Sequence, residues 1–128
     1  MGFLRPNKSR WDGVNVLELV PDRLVGHRPS REDPETAELL VPRFRSGILG
    51  KLLQPRIKPE RAHIRVKLDA RGTLLWEAMA DAPNIADLAR LYHAAFPEDN
   101  EQATDRVWMF LTRLEAQGFL ALRNPAAV

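Results

Sequence analysis

The chain has 128 residues, the length of one ordinary domain, with 45% hydrophobic residues, 28% charged residues and a net charge of +2. This composition excludes wholesale disorder, and the absence of cysteine excludes disulfides, thiolate nucleophiles and cysteine-ligated metals. No apolar stretch of 18 residues is present and the first residues lack the apolar core of a signal peptide, so we expect a cytoplasmic protein with no membrane partner.

The first 20 residues are predicted to form an N-terminal arm, and residues 21–124 a single domain. The arm contains Pro6 and Gly13 and has no sustained hydrophobic period. Trp11 has two interpretations: it packs on its own domain, or it docks on another subunit and supports a homodimer formed through the arm.

Three strands are predicted in the first half of the domain, at residues 22–28, 38–44 and 63–68. Pro42 has no N–H to donate, so pairing should stop, bulge or turn to the edge there. Residues 45–62 form a connector broken by glycines and prolines. Residues 43–67 carry eight lysines and arginines against one glutamate. Such a stretch either attracts an acidic partner or is a solvated basic loop.

Three helices follow the strands. Asp69 is placed to cap the first helix, which ends before Pro83. Asn84 and Asp87 have the spacing of a capping box at the start of the second, which Pro97 closes. The third runs over residues 98–117 with Gly118 as its C-terminal cap, and its apolar stripe contains Ala103, Val107, Phe110, Leu111 and Leu114. Residues 119–122 form either a closing strand or a packed tail. Three strands followed by three helices predict an α+β fold.

The sequence contains no catalytic or metal-binding signature. Its three histidines are far apart, and the phosphate-binding and nucleophile-elbow motifs are absent. The acidic residues at 98–105 are too few for a calcium loop, and we expect them to complement the positive end of the third helix. We therefore predict no enzyme activity, no metal and no cofactor.

The segments DARGTLLWEAMADAPNIADLARLY and VWMFLTRLEAQGFLAL resemble the PqqD family, the coenzyme PQQ synthesis protein D-like domains. The resemblance covers about residues 63–122, and its matching positions are Gly72, Leu75, Trp76, Ile85, Ala86, Leu88, Phe110, Leu111, Leu114, Gly118, Phe119 and Leu120. LVPRF and HIRVKL also look like the strands that precede the helices in stand-alone members. The extended N-terminus and the long basic connector depart from the shortest members.

The resemblance implies a winged helix-turn-helix-like fold that serves as a peptide-recognition element. Family members bind the leader of a ribosomally synthesised precursor peptide and present it to a modifying enzyme, often a radical S-adenosylmethionine enzyme. The leader adds as an extra strand to the third strand, in a groove beside the third helix. Carried over by element, the implied site consists of His63, Ile64, Arg65, Val66, Lys67 and Leu68 on the strand and Arg106, Val107, Phe110 and Arg113 on the helix.

Several alternatives remain open from the residues. Arg65 and Lys67 either steer an acidic leader or are a charged edge that discourages aggregation. Trp108 and Met109 lie off the main stripe and either line a groove or cover the core. A winged-helix DNA-binding protein is the alternative function, although the acidic N-terminal end of the third helix disfavours a nucleic-acid partner. A scaffold that binds only an enzyme is a third hypothesis.

Overall fold

The structure is a computed structural model that describes residues 11–42 and 63–126. The strands in these ranges are β1 (Val20–Arg23), β2 (Gly26–Pro29), β3 (Ala37–Pro42), β4 (His63–Lys67) and β5 (Leu120–Arg123). The helices are α1 (Ala70–Ala78), α2 (Ile85–Ala95) and α3 (Ala103–Ala116). The predicted α+β class is confirmed, with strands in the N-terminal part followed by three helices. Residues 1–10 of the predicted arm and the connector at 45–62 lie outside the described residues.

The single strand predicted at residues 22–28 is wrong, because the structure divides this segment between two sheets. β1 pairs antiparallel with β5, whereas β2 pairs antiparallel with β3. The chain leaves the first sheet at Leu24, whose N–H donates to the Phe119 carbonyl at 2.9 Å. β5 also decides between the two interpretations of residues 119–122 in favour of a closing strand. The partner of β1 is about 100 residues away in sequence, so no local pattern could locate the division.

The second sheet has the strand order β2-β3-β4, and all its pairs are antiparallel. One face is apolar and contributes Leu39 and Val41 to the core. On the other face, Glu38 is only 3% exposed because it lies beside Arg28, at 2.7 Å, and Arg65, at 3.9 Å. Pro42 is the last described residue of β3 and is still in register with His63, at a position whose backbone groups face away from β4, so its missing N–H removes no bond from that ladder.

The predicted helix caps are confirmed. Asp69 accepts a hydrogen bond from the Gly72 N–H at 2.7 Å, and Asn84 and Asp87 form a reciprocal capping box. Gly118 has a φ of 82°, the left-handed conformation that glycine adopts without strain after a helix. The third helix begins five residues later than predicted, because a 3₁₀ helix occupies Pro97–Gln102.

The core lies between the apolar sheet face and the three helices. Its largest fully buried side chains include Trp76, Tyr92, Leu88 and Leu111. The N-terminal segment joins this core through partly buried side chains that include Trp11. Trp11 therefore packs on its own domain, and a homodimer formed through the arm stays a prediction. None of the helices in the described ranges is both long and apolar enough to cross a membrane.

Candidate functional site

β4 lies at one edge of its sheet. The alternation of hydrogen-bonded and non-hydrogen-bonded pairs along its ladder with β3 determines which of its backbone groups face outward. The Leu68 N–H donates to the Ala37 carbonyl at 2.9 Å, so these opposed residues form a hydrogen-bonded pair. Such pairs alternate along an antiparallel ladder, so Ile64 and Val66 also direct their N–H and C=O groups to β3. The groups that face the open edge, which no other described strand covers, belong to His63, Arg65 and Lys67.

The opposite edge of the same sheet is a poorer template for another chain. The Ser30 N–H donates to the Thr36 carbonyl at 2.8 Å, and this bond shows in the same way which opposed residues of β2 and β3 are hydrogen-bonded pairs. His27 and Pro29 are then the β2 residues whose backbone groups face away from β3. Because Pro29 has no N–H, a chain that paired with this edge would lose a donor. β4 is therefore the better of the two edges for strand addition.

A groove of about 240 Å³ opens beside the start of α1, directly after β4. One wall is a stripe of α3 with the spacing i, i+3, i+4 and i+7, and this stripe consists of Arg106, Met109, Phe110 and Arg113. The opposite wall is the first turn of α1, which contributes Asp69, Arg71 and Gly72. The groove thus has apolar side chains at its centre and arginines around them.

Gly72 permits the close approach of α3 to α1. A Cβ atom at this position would lie 3.0 Å from Cε1 of Phe110 and 3.4 Å from Cβ of Leu68. The first contact is tighter than carbon atoms tolerate without a shift, so any larger residue would displace the Phe110 ring. The absence of a side chain at Gly72 consequently sets the depth of the groove.

An ion-pair network holds the α1 end of the groove. Arg71 contacts Asp99 at 2.8 Å and Glu98 at 3.1 Å, and its guanidinium lies 4.5 Å from the centre of the Phe96 ring. The Tyr92 hydroxyl donates to Asp99 at 2.6 Å. The Tyr92 hydroxyl and the Arg71 guanidinium lower the pKa of Asp99, whereas burial and the hydrogen bond to Asp99 raise the pKa of Tyr92. Glu98 and Asp99 therefore bind Arg71. Of the acidic residues at 98–105 that were expected to complement the positive end of the third helix, Asp105 is the one that lies in its first turn.

The two arginines of the α3 stripe differ in their partners. Arg106 donates to the Gln102 side chain at 3.2 Å and lies 3.9 Å from Asp99. Within residues 11–42 and 63–126, no carboxylate forms an ion pair with Arg113. Arg113 is exposed and lines the groove. Its charge is therefore available to a ligand.

Of the residues implied by the resemblance, Arg106, Phe110 and Arg113 line the groove. No described residue of β4 lines it, and the strand ends at Lys67, two residues before the groove residue Asp69. Two of the implied residues need correction. Val107 is fully buried in the core, so its side chain does not line the groove. Leu68 is also buried, and its N–H is already bonded to β3. Both side chains belong to the hydrophobic core and do not face a ligand.

The charged strand residues already have acidic neighbours. Lys67 contacts Glu32 at 2.5 Å, and Arg65 lies 3.9 Å from Glu38. The Lys67 contact lowers the pKa of Glu32. The Lys67–Glu32 pair is exposed and therefore weak, so Lys67 can exchange Glu32 for a ligand's carboxylate, whereas Arg65 lies beside the buried Glu38.

Sequence reasoning missed the α1 wall. Arg71 and Asp99 are 28 residues apart, and no local pattern connects them. Gly72 did carry a signal, since a glycine in the first turn of a helix costs about 1 kcal/mol relative to alanine and needs a packing reason. Met109, for which a groove and a core position were both open, lines the groove with 37% of its surface exposed, whereas Trp108 packs against the core.

Comparison with known proteins gives one match. The family model described as coenzyme PQQ synthesis protein D (PqqD) matches residues 57–120, which contain β4, the three helices and both walls of the groove. No significant match was found among curated proteins or among solved structures.

Proposed function

The chain belongs to the PqqD family of biosynthetic accessory proteins, and from this premise we propose that it binds the leader segment of a ribosomally synthesised precursor peptide by strand addition to β4. The observation that carries the proposal is the open edge of β4, where three alternate residues offer backbone donors and acceptors in the strand that leads into the groove residue Asp69. In this function the protein is a peptide carrier and performs no chemistry itself.

Strand addition at this edge is energetically adequate for a carrier. Four or five ladder hydrogen bonds contribute about 1 kcal/mol each. Two apolar anchors against Met109 and Phe110 add roughly 1.5 to 3 kcal/mol each when fully buried. Immobilising and ordering the peptide costs at least about 4 kcal/mol. The balance of about 3 to 7 kcal/mol corresponds to dissociation constants between millimolar and about ten micromolar, weak and reversible binding that suits a peptide captured and then released to an enzyme.

The direct test is selection from a display library of random 12-residue peptides on the full chain. A selected peptide, synthesised with a fluorescent label, is titrated by anisotropy against the wild-type protein and against Met109→Glu. Met109 is exposed, so this change should leave the fold intact while it places a charge in the apolar centre of the groove. We expect binding to weaken at least tenfold. Failure to enrich any peptide, or unchanged binding by Met109→Glu, would contradict the proposal.

The second part of the proposal is delivery to a modifying enzyme, for which a radical S-adenosylmethionine enzyme is the family precedent. Delivery requires that the enzyme recognise the carrier while the peptide is bound. The first check is whether a modifying enzyme and a short precursor are encoded in neighbouring genes. Pull-down of such an enzyme should be strengthened by the precursor peptide. Pull-down that is independent of the peptide would favour the scaffold hypothesis instead.

DNA binding is the competing function, and salt dependence separates the two. A DNA complex held by phosphate contacts weakens steeply as salt rises, whereas main-chain pairing responds weakly. In α3 the acidic Asp105 lies in the first turn, and Arg71 is already paired with carboxylates. We expect no mobility shift with mixed-sequence duplex DNA at 150 mM salt, and a stable shifted band would favour the DNA-binding alternative.

A further inference from the structure

Charge is divided unevenly between the two ends of the groove. At the α1 end, Arg71 is neutralised by Glu98 and Asp99. At the other end, Arg113 has no ion-pair partner in the described ranges, and its planar guanidinium is suited to a carboxylate. The Asp69 carboxylate also lines the groove, where one of its oxygens accepts the Gly72 N–H. Among the arginines of the groove, Arg113 is thus the one without a carboxylate partner in the described ranges.

The spacing along α3 connects this cation to the apolar centre. Phe110 and Arg113 are three residues apart, or about 4.5 Å along the helix axis. In an extended guest, side chains on the same face repeat at about 6.8 Å. An arginine side chain is long enough to span the difference between the spacing along α3 and the spacing along the guest strand. A guest residue two positions from an apolar side chain anchored at Phe110 therefore lies within reach of the Arg113 guanidinium.

We propose that the groove selects peptides in which an aspartate or glutamate lies two positions from an apolar anchor, and that Arg113 binds this carboxylate. The inference rests on the proposed peptide-binding function and adds the chemical class of the guest. A lysine at the same guest position meets an uncompensated cation. Asparagine fills the space without neutralising the charge. Both are consequently disfavoured relative to aspartate.

The test is a positional library of 12-residue peptides with leucine or phenylalanine as a fixed anchor. Aspartate, asparagine or lysine stands two positions before or after the anchor, and the remaining positions are randomised. Binding is compared between the wild-type protein, Arg113→Gln, Arg113→Glu and the control Arg90→Gln. Arg90 is an exposed arginine on α2 that lines a different pocket, so the control removes the same charge elsewhere.

Wild-type protein should bind aspartate peptides about twofold to fivefold more tightly than asparagine peptides, the range of an exposed ion pair. Arg113→Gln should abolish this preference, Arg113→Glu should reverse it towards lysine, and Arg90→Gln should keep it. The wild-type preference should also shrink as salt is raised. Because Arg113 is exposed, circular dichroism should show all variants folded.

The possible failures are distinguishable. If the wild-type protein binds anchor peptides but Arg113→Gln retains the aspartate preference, the inference is wrong and the peptide-binding function survives. If wild-type binding shows no preference among the three peptide sets, the inference is equally overturned. If the wild-type protein binds no peptide in the library, the proposed function fails and this inference fails with it.

Discussion

Replacing Arg65 with proline tests strand addition at a single backbone N–H. Arg65 occupies a non-hydrogen-bonded position opposite Leu40, so its N–H faces the open edge and contributes nothing to the β3 ladder. Proline is tolerated at such edge positions, and the preceding residue is favoured in the extended conformation that it already has. Val66→Pro is the contrasting variant, because the Val66 N–H is directed to Leu39 inside the sheet.

The two prolines should affect different properties: Arg65→Pro should weaken peptide binding, and Val66→Pro should lower the free energy of unfolding. Arg65→Pro removes one guest hydrogen bond and hinders a second by the bulk of the ring, a loss of about 1 to 2 kcal/mol or roughly fivefold to thirtyfold in affinity. Its effect on folding stability should be small. Val66→Pro removes a ladder bond and leaves the Leu39 carbonyl unpaired, which should destabilise the fold by about 2 to 4 kcal/mol.

Affinity is measured by anisotropy with the selected peptide, and stability by urea denaturation. Arg65→Ala is the matched control. It removes the same side chain and its contact with Glu38, but it keeps the backbone N–H. The comparison that matters is Arg65→Pro against Arg65→Ala. Equal peptide affinities for these two folded variants would refute pairing at this edge.

Three further predictions concern the groove and its support. Met109→Glu should weaken binding of the selected peptide at least tenfold by anisotropy, with little change in melting temperature because the side chain is exposed. Gly72→Ala should leave stability nearly unchanged, since a gain of about 1 kcal/mol in helix propensity opposes the displacement of Phe110, but should weaken peptide binding as the ring enters the groove. Asp99 stabilises the fold as a carboxylate because its pKa is lowered in the folded state. That contribution is complete above its unfolded pKa of about 3.9 and is lost as the pH falls through the lower folded value, so urea titrations should show a shallower acid destabilisation for Asp99→Asn than for the wild type. An equally steep acid slope in Asp99→Asn would contradict this assignment.

The helical half of the fold was readable from the sequence because its signals are local. The caps at Asp69, Asn84 and Gly118 act within a few residues of the backbone groups that they satisfy. The start of α3 was misplaced because the backbone departs from the α-helical conformation at Asp99 (φ −96°, ψ 17°), inside the 3₁₀ helix that precedes α3. The Asp99 carboxylate contacts the distant Arg71, a partner that no local pattern indicates.

The strands and the groove were less readable. The segment at 22–28 looked like one strand because nothing local distinguishes β1 from β2. Val107 and Phe110 belong to one apolar stripe, yet the first is fully buried and the second lines the groove. The stripe's arc is wider than the contact with the core, and only packing decides which of its margins stays open.

The sequence by itself determined the α+β class, the three helices and the alternating strand predicted at residues 63–68, because periodicity and capping arise from interactions between near neighbours. The family followed separately, from the resemblance of the helical segments to known members. Tertiary structure alone decided which backbone groups of that strand face outward, which of the groove's arginines has no carboxylate partner among the described residues, and how closely α3 approaches Gly72. These properties depend on the register of β4 against β3 and on contacts between residues far apart in the chain, and no local pattern encodes them.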